Sequence, residues 1–102
     1  MSNVKTYYSV NKDFIKQLRS DMNMTQSQLA NIFSITPPTI QNWESGKTEP
    51  NPTQSAMLLQ LRKKADAYLK KSKEKEISDN IKTILIGGGM LALLIWLFSR
   101  DE

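Results

Sequence analysis

Apolar positions along this chain recur at helical spacing, and no stretch alternates as a strand would. Phe14, Ile15, Leu18 and Met22 mark one face of a first helix, with Asn11 upstream as its cap and Asp13 favourable in its first turn. Leu29, Ala30, Ile32 and Phe33 are the buried candidates of a second helix, opened by Thr25 and completed as a capping box by Gln28. The stretch SITPPTIQNWESGK, residues 34–47, predicts a third. Thr36 caps it, and the missing N–H groups of Pro37 and Pro38 fall in the first turn, where no intrahelical partner exists. Pro37 itself precedes a proline and is pushed from helical dihedrals, so the helix begins at either Pro37 or Pro38. Ile40 and Trp43, three residues apart, face inward; Pro38, Gln41, Asn42 and Ser45 gather on the opposite side. Gly46 is the expected stop. A fourth helix opens at Asn51–Pro52 or at Thr53 and carries Ala56, Met57, Leu58, Leu61, Ala65, Tyr68 and Leu69 as its apolar residues. The first ten residues, with Tyr7 and Tyr8, have no assignment.

The pattern then changes. Residues 84–98 are fifteen consecutive apolar or glycine residues. A membrane span needs ~20 residues, with ~17 as the short limit. Ile81 to Ser99 meets that length if Lys82 snorkels to the interface. The run is apolar all round, which predicts a transmembrane helix over 81–99 rather than an amphipathic helix on a domain surface; the competing reading is a buried core helix. Lys70, Lys71, Lys73, Lys75 and Lys82 precede the run and only Arg100 follows, so the positive-inside rule puts the N-terminus in the cytoplasm and the short tail 100–102 outside. Trp96 and Phe98 then fall near the far interface. Gly87-Gly88-Gly89 lacks the Lys-Ser or Lys-Thr of a phosphate loop. Gly88 and Ala92 form one small-xxx-small pair, compatible with helix association in a bilayer or with a plain lipid-facing helix.

Composition narrows the chemistry. The chain has 102 residues, room for one small domain with attachments, and neither cysteine nor histidine. Disulfides, thiolate nucleophiles, the usual zinc ligands and the commonest general base are thereby removed. The carboxylates are scattered, so no catalytic residues, metal site or cofactor are expected, and an enzyme is not. No apolar run follows Met1, so no N-terminal secretory signal is expected. Of the net charge of +4, residues 1–61 contribute only +1, while residues 62–83 contribute +4 and the last four residues −1. The positive charge sits beside the apolar run, where each lysine near an anionic lipid surface contributes about 1 kcal/mol; contact with DNA phosphates is the alternative use.

The stretch from Leu18 to Leu61 resembles the lambda-repressor-like, Cro-type (XRE) helix-turn-helix family. The resemblance rests on Leu18-Arg19, Thr25-Gln26, Leu29-Ala30, Ile35-Thr36, Thr39-Ile40 and Trp43-Glu44-Ser45-Gly46-Lys47 followed by Pro50. It implies an all-α bundle of four or five helices over residues 1–69, with residues 26–33 and 37–45 as the two helices of the motif, followed here by a basic linker over 70–80 and the single C-terminal transmembrane helix. It also implies roles. Gln26 matches the residue that bonds a DNA phosphate. Pro38, Thr39, Gln41 and Asn42 lie where the recognition helix faces bases or backbone. Ser45 and Lys47 lie where the family touches phosphates, and Arg19 and Glu44 match a structural salt bridge. Independently of the resemblance, an Asn or Gln amide on a helix in the major groove can bond adenine N6 and N7 together; Gln41 and Asn42 otherwise are solvated helix surface. Two departures stand out: Ser34 replaces the usual turn glycine, and Pro37 and Pro38 stand where many relatives present polar side chains.

Two functions follow. The first is a membrane-anchored, sequence-specific regulator of transcription that binds double-stranded DNA, as a possible homodimer, at the cytoplasmic membrane of a bacterium or its phage. The second is a membrane-anchored module that docks another protein. The layout is similar to cell-shape proteins of the RodZ type, in which this fold binds a cytoskeletal protein; a toxin partner is also compatible. The paired prolines and low domain charge favour docking, and Gln26 with the polar 41–42 face favours DNA.

Overall fold

Among the described residues, four of the five helices begin one residue after a side chain that accepts a backbone N–H. The computed structural model describes residues 10–72 and 77–99. Within them the helices are α1 (Lys12–Asp21), α2 (Gln26–Ile32), α3 (Pro37–Ser45), α4 (Pro52–Ser72) and α5 (Asp79–Phe98), with no strand among the described residues. The unassigned Tyr7 and Tyr8, the linker residues 73–76 and the tail 100–102 lie outside the described residues.

Asn11 Oδ1 accepts from Phe14 N at 2.9 Å and starts α1. Thr25 and Gln28 form the reciprocal capping box of α2, at 3.1 and 2.9 Å. Asn51 and Gln54 repeat that exchange at α4, at 2.7 and 2.9 Å, so Pro52 is its first residue. Ser78 caps α5. Helix α3 is the exception. It begins at Pro37, and the Thr36 hydroxyl makes no cap bond but lies 3.2 Å from the Thr39 hydroxyl. Two prolines leave fewer first-turn donors to cap.

The turns are set by left-handed residues. After α2, Ser34 has φ 57 and Ile35 N donates to Ala30 O at 3.0 Å. After α3, Gly46 has φ 82 and Lys47 N donates to Asn42 O at 2.9 Å. Both are helix stops in which a positive-φ residue folds the next N–H back onto the last turn. At Ser34 a side chain occupies a conformation that glycine adopts without cost.

The core collects Ile15, Leu18 and Met22 from α1 and its end, Leu29, Ala30, Ile32 and Phe33 from α2, Ile40 and Trp43 from α3, and Leu58, Leu61 and Ala65 from α4. Met24, in the turn before α2, is also buried, whereas Phe14 is half-buried and Ala56 exposed. Helix α4 runs through Lys70 and Lys71 to Ser72, so the basic stretch begins as helix rather than as linker.

Helix α5 differs most from expectation. It starts at Asp79, is long and apolar enough to cross a membrane, and has only 17% of its apolar window buried. It is not straight. Gly89 has φ 61 and ψ −141, which breaks the helix, and the two halves fold back onto the bundle. Leu85 and Leu93 enter the common core together with Ile77. Asn31 of α2 donates to Ile86 O, Lys82 Nζ to Asn23 O at 2.7 Å, and Lys64 Nζ to Ser99 O at 2.9 Å. The helix therefore has part of the competing, buried-core character: α2 and α4 leave an apolar face that one side of α5 covers. Gly89, beside Gly88, supplies the bend that a continuous apolar helix would lack.

Candidate nucleic-acid interface

The orientation of α3 against α1 and α2 is held from both sides. Ile40 and Trp43 are buried beneath it. At its C-terminal end Glu44, although charged, is also buried. Glu44 accepts three hydrogen bonds: from Arg19 Nε at 2.7 Å, Arg19 Nη2 at 3.0 Å and Gln26 Nε2 at 3.1 Å. Arg19 Nη1 donates to Met24 O at 3.0 Å. This cluster ties α1, the turn before α2, the first residue of α2 and α3 together. Burial pushes the Glu44 carboxyl up. Hydrogen bonds from Arg19 and Gln26, with the charges of Arg19 and Lys16, outweigh it and hold Glu44 below its ordinary value. The Arg19 guanidinium is raised, chiefly by its bond to Glu44 and against the effect of burial.

With its inner side so fixed, α3 turns its other side outward. Pro37, Pro38, Gln41 and Ser45 are exposed, and Thr39 and Asn42 are half-buried. Lys47, just past Gly46, is exposed. The Asn42 carbonyl is engaged by Lys47 N, Thr48 N and the Ser45 hydroxyl, the last at 3.2 Å. The backbone after the helix is therefore pinned while the side chains of Gln41 and Lys47 point from its outer surface. The surface is mixed: two pyrrolidine rings at the N-terminal end, amides in the middle, a hydroxyl and an ammonium at the C-terminal end. It can offer bidentate hydrogen bonding to a base edge, apolar contact to a methyl group and a cation to a phosphate.

The residues singled out from sequence thus divide into two groups. Pro38, Gln41, Ser45 and Lys47 are exposed, with Thr39 and Asn42 half-buried beside them. Gln26 joins Arg19 and Glu44 instead, its amide nitrogen directed into the ion pair. Sequence reasoning missed the Met24 carbonyl and the Lys16 charge as parts of this cluster. Neither carries a local signal, because each matters only once α1 and α3 are packed.

A second ion-pair cluster lies away from this surface. Arg62 of α4 bonds Asp66 one turn on, with Nε at 3.0 Å, and reaches Asp21 at the end of α1 at 2.9 Å. Burial lowers the Arg62 guanidinium, but the two carboxylates, Asp66 first, raise it above its ordinary value. It fastens α4 to α1.

Comparison with known proteins matches residues 15–61 to the helix-turn-helix family. The chain is 32% identical over 69 residues to the type II methyltransferase M.MspI of Moraxella sp, a match covering 68% of this chain and 16% of the methyltransferase. It is 52% identical over 40 residues to multiprotein-bridging factor 1a of Arabidopsis thaliana, covering 39% of this chain and 28% of that protein. The chain therefore spans well under a third of the length of either relative. No solved structure matches it. Three positive-φ positions, Asn23, Ser34 and Gly46, a part-buried Arg19–Glu44 pair and an outward polar face on α3 coincide with the matched segment, and residues 15–61 are a helix-turn-helix domain of the XRE, lambda-repressor-like kind.

Proposed function

We propose that this protein is a sequence-specific DNA-binding regulator of transcription, not an enzyme, that α3 reads the major groove, and that α5 anchors it in the cytoplasmic membrane of a bacterium or its phage with the N-terminus inside. The observation that carries the DNA reading is the two-sided α3: Ile40, Trp43 and Glu44 are locked inward while Pro38, Gln41, Ser45 and Lys47 are exposed, with Thr39 and Asn42 half-buried between the two sides. A recognition helix needs this, because base readout requires amides held in register by the scaffold beneath them. Asn42 and Gln41 read bases, Pro38 and Thr39 give methyl and shape contacts, and Ser45 and Lys47 hold phosphates. One N–H of the Gln26 amide fixes Glu44, and its second N–H donates to a phosphate. A homodimer on a two-fold site, its half-sites about 34 Å apart, is the expected assembly, and two chains anchored in one membrane raise each other's effective concentration.

The test is selection of bound sites from random duplex DNA by the full chain in nanodiscs. A two-fold motif should be enriched, and Asn42→Ala should lose preference at one position by about 1–3 kcal/mol. No enrichment would overturn the DNA reading.

A second reading is favoured by specific observations. The net charge of residues 1–61 is only +1, Pro37 and Pro38 occupy the N-terminal end of α3, and the Gln26 amide is turned into Glu44. Under that reading the same surface docks a protein, and charge reversal at Lys47 leaves most of the docking intact.

A further inference from the structure

The outer side of α5 is apolar and uncovered. Ile84 is 64% exposed, Leu91 70%, Ile95 63% and Phe98 83%. Between its two halves lies an apolar groove of about 270 Å³, lined by Ile81, Ile84, Leu85, Ala92, Ile95 and Trp96. The neighbouring charges are mostly basic: Lys70 and Lys71 at the end of α4 and Lys82 in the first turns of α5, against the single carboxylate of Asp79 there. Apolar surface flanked by cations fits an anionic lipid bilayer. Yet the folded-back helix cannot span one. Its halves, residues 79–88 and 90–98, are each about 15 Å long, against a hydrocarbon core of about 30 Å. Only the straightened helix of 20 residues reaches that length.

We propose that α5 has two states joined by a hinge at Gly88-Gly89: docked on α2 and α4 in water, and straight across the bilayer when inserted. This rests on the membrane reading above and adds its mechanism. Two separate features confine the bend to these glycines. The φ 61, ψ −141 of Gly89 belongs to a region that is nearly glycine-only. At Gly88 a β-carbon would stand 2.5 Å from the Ala92 β-carbon, a clash that arises because the bend brings the two halves together. In a straight helix, residues four apart have β-carbons about 5–6 Å away, and the clash disappears. Gly87 has open space around a β-carbon and negative φ, so it is not part of the hinge. Opening breaks the bonds from Asn31 to Ile86 O, Lys82 to Asn23 O and Lys64 to Ser99 O, and it frees Lys82 to reach the lipid interface.

The three glycines supply the test. Gly87→Ala, Gly88→Ala and Gly89→Ala each add one methyl group, so they raise hydrophobicity equally. Full-length protein would be partitioned into vesicles of phosphatidylethanolamine and phosphatidylglycerol and scored by resistance to alkaline carbonate. Wild type should insert, Gly88→Ala and Gly89→Ala should insert about tenfold more strongly or better, and Gly87→Ala should match wild type. A rise in all three, or in none while wild type inserts, would overturn the hinge and leave the anchor standing. No insertion by any of them would overturn the anchor and the hinge together. A second measurement avoids variants that disturb folding. The chain has no cysteine, so Asn31→Cys with Ile86→Cys can be joined by a cleavable cross-link. Insertion should be lost with the link intact and return when it is cleaved; insertion of the linked chain, or failure of the link to form in solution, refutes the docked state.

Discussion

Replacing Glu44 with glutamine keeps the shape of the side chain and removes its charge. The side chain is only 6% exposed and accepts two bonds from Arg19 and one from Gln26. Breaking a fully buried ion pair costs about 3–5 kcal/mol. Arg19 keeps 26% of its side chain in solvent and retains the Met24 carbonyl, so the expected loss is smaller, about 2 kcal/mol. For a domain of this size that lowers Tm by about 8–16 °C at neutral pH. The pH dependence is the sharper test. Because the folded-state pKa of Glu44 is depressed, its stabilisation is complete above the unfolded value of about 4.3 and is lost as pH falls through the folded value. Wild type protonates there and comes to resemble the variant, so the gap between the two unfolding curves should narrow below about pH 4. Chemical denaturation of both proteins across this range, with Arg19→Met completing a double-mutant cycle, measures the coupling. A gap under about 0.5 kcal/mol at neutral pH, or one that does not narrow in acid, would refute the view that this pair locks α3.

Two of the left-handed positions make opposite predictions. Ser34→Gly should stabilise the domain by about 0.5–1 kcal/mol, since it removes the cost of φ 57 while loosening the unfolded chain, as read by urea denaturation. Gly46→Ala should destabilise it by about 1 kcal/mol or more. There the added carbon would meet only Lys12 Cδ at an ordinary 3.5 Å, so φ 82 rather than crowding sets the cost. Lys47→Glu should weaken DNA binding uniformly across sequences and reduce the salt slope by about one, measured by titration at several salt concentrations.

The parts of this protein that a sequence determines by itself are those closed within a few residues. Asn11, Thr25 and Asn51 cap helices through bonds to residues three positions on, so residue type and spacing suffice to place α1, α2 and α4. Gly46 is legible for the same reason, and so are the inward Ile40 and Trp43, whose spacing puts them on one side of α3. The Arg19–Glu44 pair spans 25 positions; it was reachable only through resemblance to a family, because no local rule selects that arginine for that carboxylate. Whether Gln26 points to solvent or into that pair was decided by how α1, α2 and α3 pack. The apolar run at the end is the clearest division between the two. Its composition says that it must leave water, and its glycines say that it can bend. Asn31 meets Ile86 across 55 positions, and Leu85 and Leu93 find the gap beside α2 and α4, only when the whole bundle is in place. Hydrophobicity is non-directional, so a sequence can state the need for burial, but the tertiary structure alone supplies the surface that meets it.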